Sequence, residues 1–513
     1  MSRTRTALSI PILASLIILT TCLVATAFPY FPWDEESREL FLQDLKEGEL
    51  YAEVLDSKLL NYPVYQVSIE VLTDQLFSGR EVVMYSNRTD IELHELCLHL
   101  LPNCLGGSIV LSAVHVDGED NEIVFDIDDR SIGWIYLDSP LLPGESTLLD
   151  FDFSVEVPID TSESVIDTRF SNTSGVLSAA YSFPIVADYR QDGWDIRRPT
   201  IEGEFVYREH ALFAVGISAP IDFEVVSSGF EIGEPRVSTS GLAKSRFFVS
   251  GPTNDFFWGG SYRFSVFEDT VGTTLIKCYA PSDMEGLARM AIGYTKQALI
   301  VFTEILSPYP YNELDIVLMD LDLGLGGAEF TGLFILNWNA VSWTYGLYGI
   351  SDPQSDIMIE TIVVHEVAHQ WFAISLSSDP VLESWIDEGF AQLATWMYFV
   401  ELYDSFGFFG FQSTLRYVYG DFALVQPLPL DKEGFGDAIY DLAPQVLFET
   451  LRRGSGGPKG DFYMDSINTT MFMVDLVAEF EMSPLTTRQL LDFVRLHQLD
   501  AGAEYLVEWL SLE

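Results

Sequence analysis

Residues 363–373 read VVHEVAHQWFA. Two of the chain's seven histidines, His365 and His369, stand four apart there, with Glu366 directly after the first. On a helix, positions four apart project from one face about one turn from each other, so the two imidazoles can hold two corners of a zinc tetrahedron. Glu366 points close by but is poorly aimed to ligate, which leaves it free to take a proton from water at the metal. Two histidines lying against a core are the ordinary alternative. A third ligand, a substrate-binding surface and a group that stabilises the transition state would separate the two readings.

The third ligand comes from the next helical stretch. Eighteen residues lie between His369 and Glu388, which falls in ESWIDEGFAQLATWMYF (383–399). Trp385, Ile386, Phe390 and Ala391 around it read as buried, and a buried carboxylate needs a cation. Two neutral imidazoles and one carboxylate leave Zn²⁺ with a net charge of +1, and an open fourth position would hold water with its pKa lowered towards neutrality.

Outward from the motif, the chain divides in character. From about Tyr65 to Asp269 it alternates apolar with polar residues between Gly, Pro and Asp turns, as in YQVSIEV (65–71), SIVLSAVHV (108–116), NEIVFDI (121–127) and TLLDFDFSVEV (147–157). After Pro281 helical spacing takes over. SDMEGLARMAIGYTKQALIVFTEIL (282–306) predicts a helix capped by Ser282 and closed by Pro308. A buried strand LDIVLMDL (314–321), the motif helix, a helix from about Leu382 to Leu402, and helices in 443–453 and 486–499 follow. The expected order is an N-terminal leader at 1–27, a linker at 28–64, a β-rich domain at 65–269 and a mainly helical domain with a small sheet at 270–513.

The chain is 513 residues long and 48% hydrophobic, which suits two or three folded domains. Its net charge of -50 argues against a nucleic-acid partner, whose phosphates such a surface repels. Arg3 and Arg5 precede an uncharged apolar run at 7–28. That pattern is an export signal with three fates: cleavage after Ala27, lipidation at Cys22, or retention as a membrane anchor. All three place the body of the protein outside the cytoplasm. Cys97 and Cys104 could pair in an oxidising compartment or remain buried thiols. No C-x-x-C motif exists, so zinc held by cysteine is excluded. Sequons at Asn87, Asn172 and Asn468 matter only in a cell that glycosylates.

The zinc motif and its surroundings resemble the gluzincin aminopeptidase family, of which aminopeptidase N is the familiar member. The resemblance extends to YPVYQVSIEV (62–71), CLHLLPN (97–103), SPLLPGE (139–145), FPIVADYRQDGW (183–194), VVSSGF (225–230) and SPYPYNELDIVLMDL (307–321). It implies an α+β multidomain fold, with a saddle- or sandwich-like β-rich domain followed by a thermolysin-like, mainly helical zinc domain. GGAEFTGLFIL (326–336) resembles the family's substrate strand. This implies that Glu329 binds the free α-amino group of a peptide while Gly326, Gly327 and Ala328 pair with its backbone. GDAIYDLAPQVLFETLRR (436–453) resembles the stretch around the family's catalytic tyrosine, which would make Tyr440 the donor to the oxyanion.

There are departures. Ala328 stands where the family has methionine, and Phe330-Thr331 replaces Asn-Pro or Tyr-Pro, which implies an altered pocket for the first side chain. Leu442-Ala443 replaces the usual Lys-Gly step. The sequence runs to LVEWLSLE, and the family's large C-terminal helical domain is not expected within it. The expected function is an exported zinc aminopeptidase acting on peptides. An endopeptidase or long-peptide trimmer with an unroofed cleft is the alternative within enzymes, and a non-catalytic membrane-tethered binding module the alternative outside them. A protein partner is not indicated.

Overall fold

The computed structural model describes residues 40–46, 62–159, 167–190, 193–198, 209–321, 325–348, 353–412, 437–455, 462–497 and 499–510. The export segment at 1–27, its possible membrane run at 7–28 and most of the expected linker lie outside these. No helix among the described residues is long and apolar enough to cross a membrane.

The first half is built on a nine-stranded sheet. Ser146–Glu156 shows why it forms: Thr147, Leu149, Phe151, Phe153 and Val155 are buried, while the residues between them face outward. This period of two lays one apolar face on the core. The strand sits between Leu76–Ser86 and Ser108–Val116, both antiparallel to it. Val64–Val71 pairs parallel with Ala211–Pro220 further along the same sheet. Two four-stranded sheets and a two-stranded one, Tyr189–Arg190 with Gly193–Trp194, accompany it among the described residues.

The second half begins with a five-stranded sheet in the order Phe264–Val271, Thr274–Pro281, Glu313–Met319, Leu333–Asn337 and Gly327–Phe330. Every residue of Glu313–Met319 is buried, as expected of a strand with parallel neighbours on both sides. Gly327–Phe330 is the outermost strand, folded back on Leu333–Asn337 through a turn at Gly332, whose φ of 65° suits glycine. Helices Glu285–Ile305, Trp338–Tyr348, Pro353–Ala368, Ser384–Gln412, Ala443–Gly454, Phe462–Phe480, Thr487–Leu496 and Asp500–Leu510 follow or cover this sheet.

Several expectations are corrected. Ser282 does not cap the first helix: it starts a 3₁₀ turn, Ser282–Met284, and Met284 precedes the helix without a side-chain cap. NEIVFDI forms only the two-residue strand Val124–Phe125, because its Asp126 folds back to accept the N–H groups of Asp128 and Asp129. Of the two readings of Cys97 and Cys104, the structure has the separate thiols, the first buried and the second half-buried and donating to the Leu101 carbonyl at 3.2 Å. The helix carrying the zinc motif ends at Ala368, so that His369 is the first residue of the turn beyond it.

Candidate active site

The motif helix Pro353–Ala368 packs against the edge strand Gly327–Phe330, and the helix Ser384–Gln412 packs against the motif helix. His369 keeps the helical hydrogen bond to the His365 carbonyl at 3.2 Å, so the four-residue spacing survives the helix end. The two rings meet nearly at right angles, with their Nε2 atoms 3.1 Å apart. Glu388 Oε2 lies 3.0 Å from His365 Nε2 and 3.3 Å from His369 Nε2. Trp385, Ile386, Phe390 and Ala391 are fully buried around it.

These three atoms fit a zinc ion. A tetrahedron with bonds of about 2.0–2.1 Å has edges of about 3.3 Å, close to the separations found. The tautomer also agrees: His369 Nδ1 lies 3.0 Å from the Phe372 carbonyl, which can only accept, so Nε2 carries the lone pair. The electrostatics point the same way. Burial resists a charge on His369, yet Glu329 and Glu388 overcome it and hold the ring well above the ordinary histidine pKa. Burial likewise raises Glu388, and His369 and His365 more than reverse that, holding it well below the usual carboxylate range. The pocket selects positive charge where the three donors meet. Among the described residues, His365, His369 and Glu388 are the one group arranged to hold a metal ion.

Glu366 is buried beside this point and packs on Gly327. Glu329 reaches the same pocket from the edge strand, with its Oε1 3.8 Å from His369 Nδ1. Tyr440 enters from the π-helical turn Asp437–Leu442, and its hydroxyl donates to Glu388 Oε1 at 2.7 Å. Gly326 and Ala328 flank Gly327 along the strand, with Ile362 of the motif helix against Gly326. The structure thus brings His365, His369, Glu388, Glu366, Glu329 and Tyr440 together, with Gly327 against Glu366 and Gly326 and Ala328 on either side of it in the chain.

Sequence reasoning passed over Gln370 and Asp387. Gln370 is fully buried, donates to the Phe330 carbonyl at 3.0 Å and accepts the Gly332 N–H at 3.1 Å, tying the Gly327–Asn337 hairpin to the turn that carries His369. Its signal was a polar residue inside the apolar run HQWFA. Asp387 is buried against Glu388, accepting its N–H at 2.8 Å; burial, reinforced by Glu388, pushes its carboxyl well up.

Thr331 accounts for one departure from the family pattern. Its N–H donates to Asp255 Oδ1 at 3.1 Å and its hydroxyl meets that of Thr253, whereas a proline there could donate nothing.

One imidazole near the end of a helix, a second in the turn just beyond it and a carboxylate from the next helix make a His-His-Glu metal centre. Residues 290–419 match the family model described as the peptidase family M1 domain. This stretch, which carries the metal-site residues, is similar to the aminopeptidase N-like gluzincins. The chain is 30% identical to aminopeptidase N of Canis lupus familiaris over 141 residues, which are 26% of this chain and 14% of that protein. It is 24% identical to aminopeptidase M1-A of Oryza sativa subsp. japonica over 192 residues, 36% of this chain and 21% of the relative. The aligned stretches thus cover a small part of these longer proteins. The fold is shared with the M1 zinc metallopeptidase from Deinococcus radiodurans, with a TM-score of 0.59 at 17% identity over 88% of this chain and 94% of that one. A two-domain M1 zinc metallopeptidase mutant bound to L-arginine matches with a TM-score of 0.61 at 16% identity over the same shares.

Proposed function

We propose that this protein is a zinc aminopeptidase, exported from the cytoplasm, that removes single residues from the free N-termini of peptides. The observation that carries the reading is the position of Glu329: a carboxylate on an outermost strand, 3.8 Å from a metal-site histidine. An edge strand offers backbone groups to an extended peptide, and a carboxylate beside the reacting centre captures the terminal ammonium. Such a site measures one residue from the chain end to the bond that is cut.

When bound, zinc supplies a Lewis acid for the peptide carbonyl and for water. The protein's own groups do the rest. Glu366 takes the proton from the attacking water and passes it to the leaving amine. Tyr440, whose hydroxyl rests on Glu388, turns to donate to the oxyanion as the carbonyl carbon becomes tetrahedral. Gln370 and Gly327 keep the peptide-binding strand in register with Glu366. Arg3, Arg5 and the uncharged run that follows support export; N-terminal sequencing of the protein from fractionated cells would establish its site and whether the run is kept.

The test of the activity uses matched peptides with free and N-acetylated termini, with products read by mass spectrometry. Stepwise loss of residues from the free termini alone is expected. Equal cutting of the blocked peptides would make the enzyme an endopeptidase and remove Glu329 from its role. No cleavage of either, with zinc bound, would favour a binding module that retains the fold.

A further inference from the structure

The segment between His369 and Glu388 determines whether the third ligand meets the first two, and the β-rich half grips it at three places. His210 Nε2 lies 3.3 Å from the Ile374 carbonyl, and Asn254 Nδ2 donates to the Ala373 carbonyl at 3.3 Å. Ala373 itself has a φ of 149°, a value that L-residues rarely adopt, so neighbouring contacts must hold it there. The third grip is ionic. Asp379, 7% exposed, accepts from Arg190 Nη1 at 2.5 Å and from Arg197 Nη2 at 2.9 Å. Asp195, 5% exposed, backs both guanidiniums, accepting Arg197 Nε at 2.8 Å with Arg190 Nε at 3.3 Å.

Asp379 passes this hold on to the metal site. Its Oδ1 accepts the N–H groups of Val381 and Leu382 at 3.0 and 3.1 Å, and its carbonyl accepts that of Glu383 at 2.7 Å. The next residue, Ser384, opens the helix that carries Glu388 in its second turn. One carboxylate therefore both receives the β-rich half's arginines and shapes the turn that launches the ligand helix.

We propose that Arg190 and Arg197 are positioning residues for the metal centre: by clamping Asp379 they set where the Ser384–Gln412 helix starts, and hence where Glu388 meets His365 and His369. The proposal rests on the zinc reading above. A surface staple would act differently. It would add a little to stability and nothing to ligand geometry. This network seats two half-buried arginines on two buried carboxylates, is two-sided and bidentate, and acts on a short turn with little freedom to relax.

The experiment measures zinc affinity of the full chain by competition with a chromogenic chelator, for the parent, Arg197→Met, Arg190→Met and Asp379→Asn. Asp379→Asn keeps an oxygen for the turn N–H groups and loses only the charge, so it carries the test if an arginine variant fails to fold. Zinc Kd is expected to weaken about tenfold in each, the scale on which groups behind the ligands act. At saturating zinc, KM for a peptide should match the parent. Arg197→Lys, which keeps the charge without the fork, should lie between Arg197→Met and the parent. Variants that melt earlier without zinc yet hold it within about twofold of the parent would overturn the proposal, leaving the clamp as a staple. A parent that takes up no zinc would instead overturn the metal reading on which the proposal stands.

Discussion

The Cβ that Gly327 lacks would lie 2.6 Å from Oε1 of Glu366 and 2.5 Å from its Cδ. The strand proposed to bind the peptide and the carboxylate proposed as base are thus in direct contact, and glycine is what permits it. Gly327→Ala should push Glu366 aside while leaving His365, His369 and Glu388 in place. A displacement of about 1 Å at a reacting group costs about a hundredfold in rate. Steady-state kinetics should show that loss in kcat with zinc content unchanged; full activity in the variant would mean that Glu366 is not the base in this geometry.

Glu366→Gln isolates the proton transfer from the packing. The amide has nearly the carboxylate's shape and cannot take a proton, so turnover should fall at least about a hundredfold. Zinc measured by elemental analysis should remain at the parent's level, since Glu366 is not among the three converging donors. A variant that still cleaves peptides at the parent's rate would require another base.

Tyr440→Phe removes only the hydroxyl that donates to Glu388 at 2.7 Å. If this group moves to the oxyanion in the transition state, kcat should drop about 10²–10³-fold with little change in KM. A rise in KM alone would place Tyr440 in substrate binding.

Gln370→Leu should loosen the hairpin. It strands the Phe330 carbonyl and the Gly332 N–H, both bonded to the Gln370 amide. Leaving a buried polar group unpaired costs about 1–3 kcal/mol. Urea unfolding should register that loss, and KM should rise because the peptide-binding strand is no longer pinned. Unchanged stability would show that water replaces the amide.

Stability also carries a pH dependence from the nine-stranded sheet. Glu81 faces the core of the large sheet opposite Val67 and Phe151, and neither carboxylate oxygen has a partner among the described residues. Burial pushes its pKa well above the ordinary value of 4.5. The folded state therefore keeps a proton that the unfolded chain gives up. This contribution is fully present below the unfolded pKa and is lost as pH rises through the raised folded value. Glu81→Met should stabilise the protein near pH 8 by about 1–3 kcal/mol and flatten the decline between about pH 5 and about pH 8. Denaturant midpoints at the two pH values measure both; parallel curves for parent and variant would show Glu81 to be solvated.

The sequence by itself determined what repeats locally. A four-residue interval put His365 and His369 on one face, and a period of two put Leu149, Phe151 and Phe153 on the core, because helix and strand geometry act over a few residues. The gap after His369 and the apolar residues around it pointed to Glu388, and the family resemblance to Glu329 and Tyr440. Where a local signal competed with a contact it could not see, the reading failed. Ser282 looked like a cap and is one turn early, and NEIVFDI alternated like a strand but yielded to the turn made by Asp126. Only the tertiary structure decided that Gln370 bridges a hairpin about 40 residues upstream, that Thr331 uses its N–H on Asp255, and that Asp379 answers two arginines from the other half of the chain. Those partners are distant in sequence and meet through hydrogen bonds and charge; their pairing leaves no periodicity for a sequence to display.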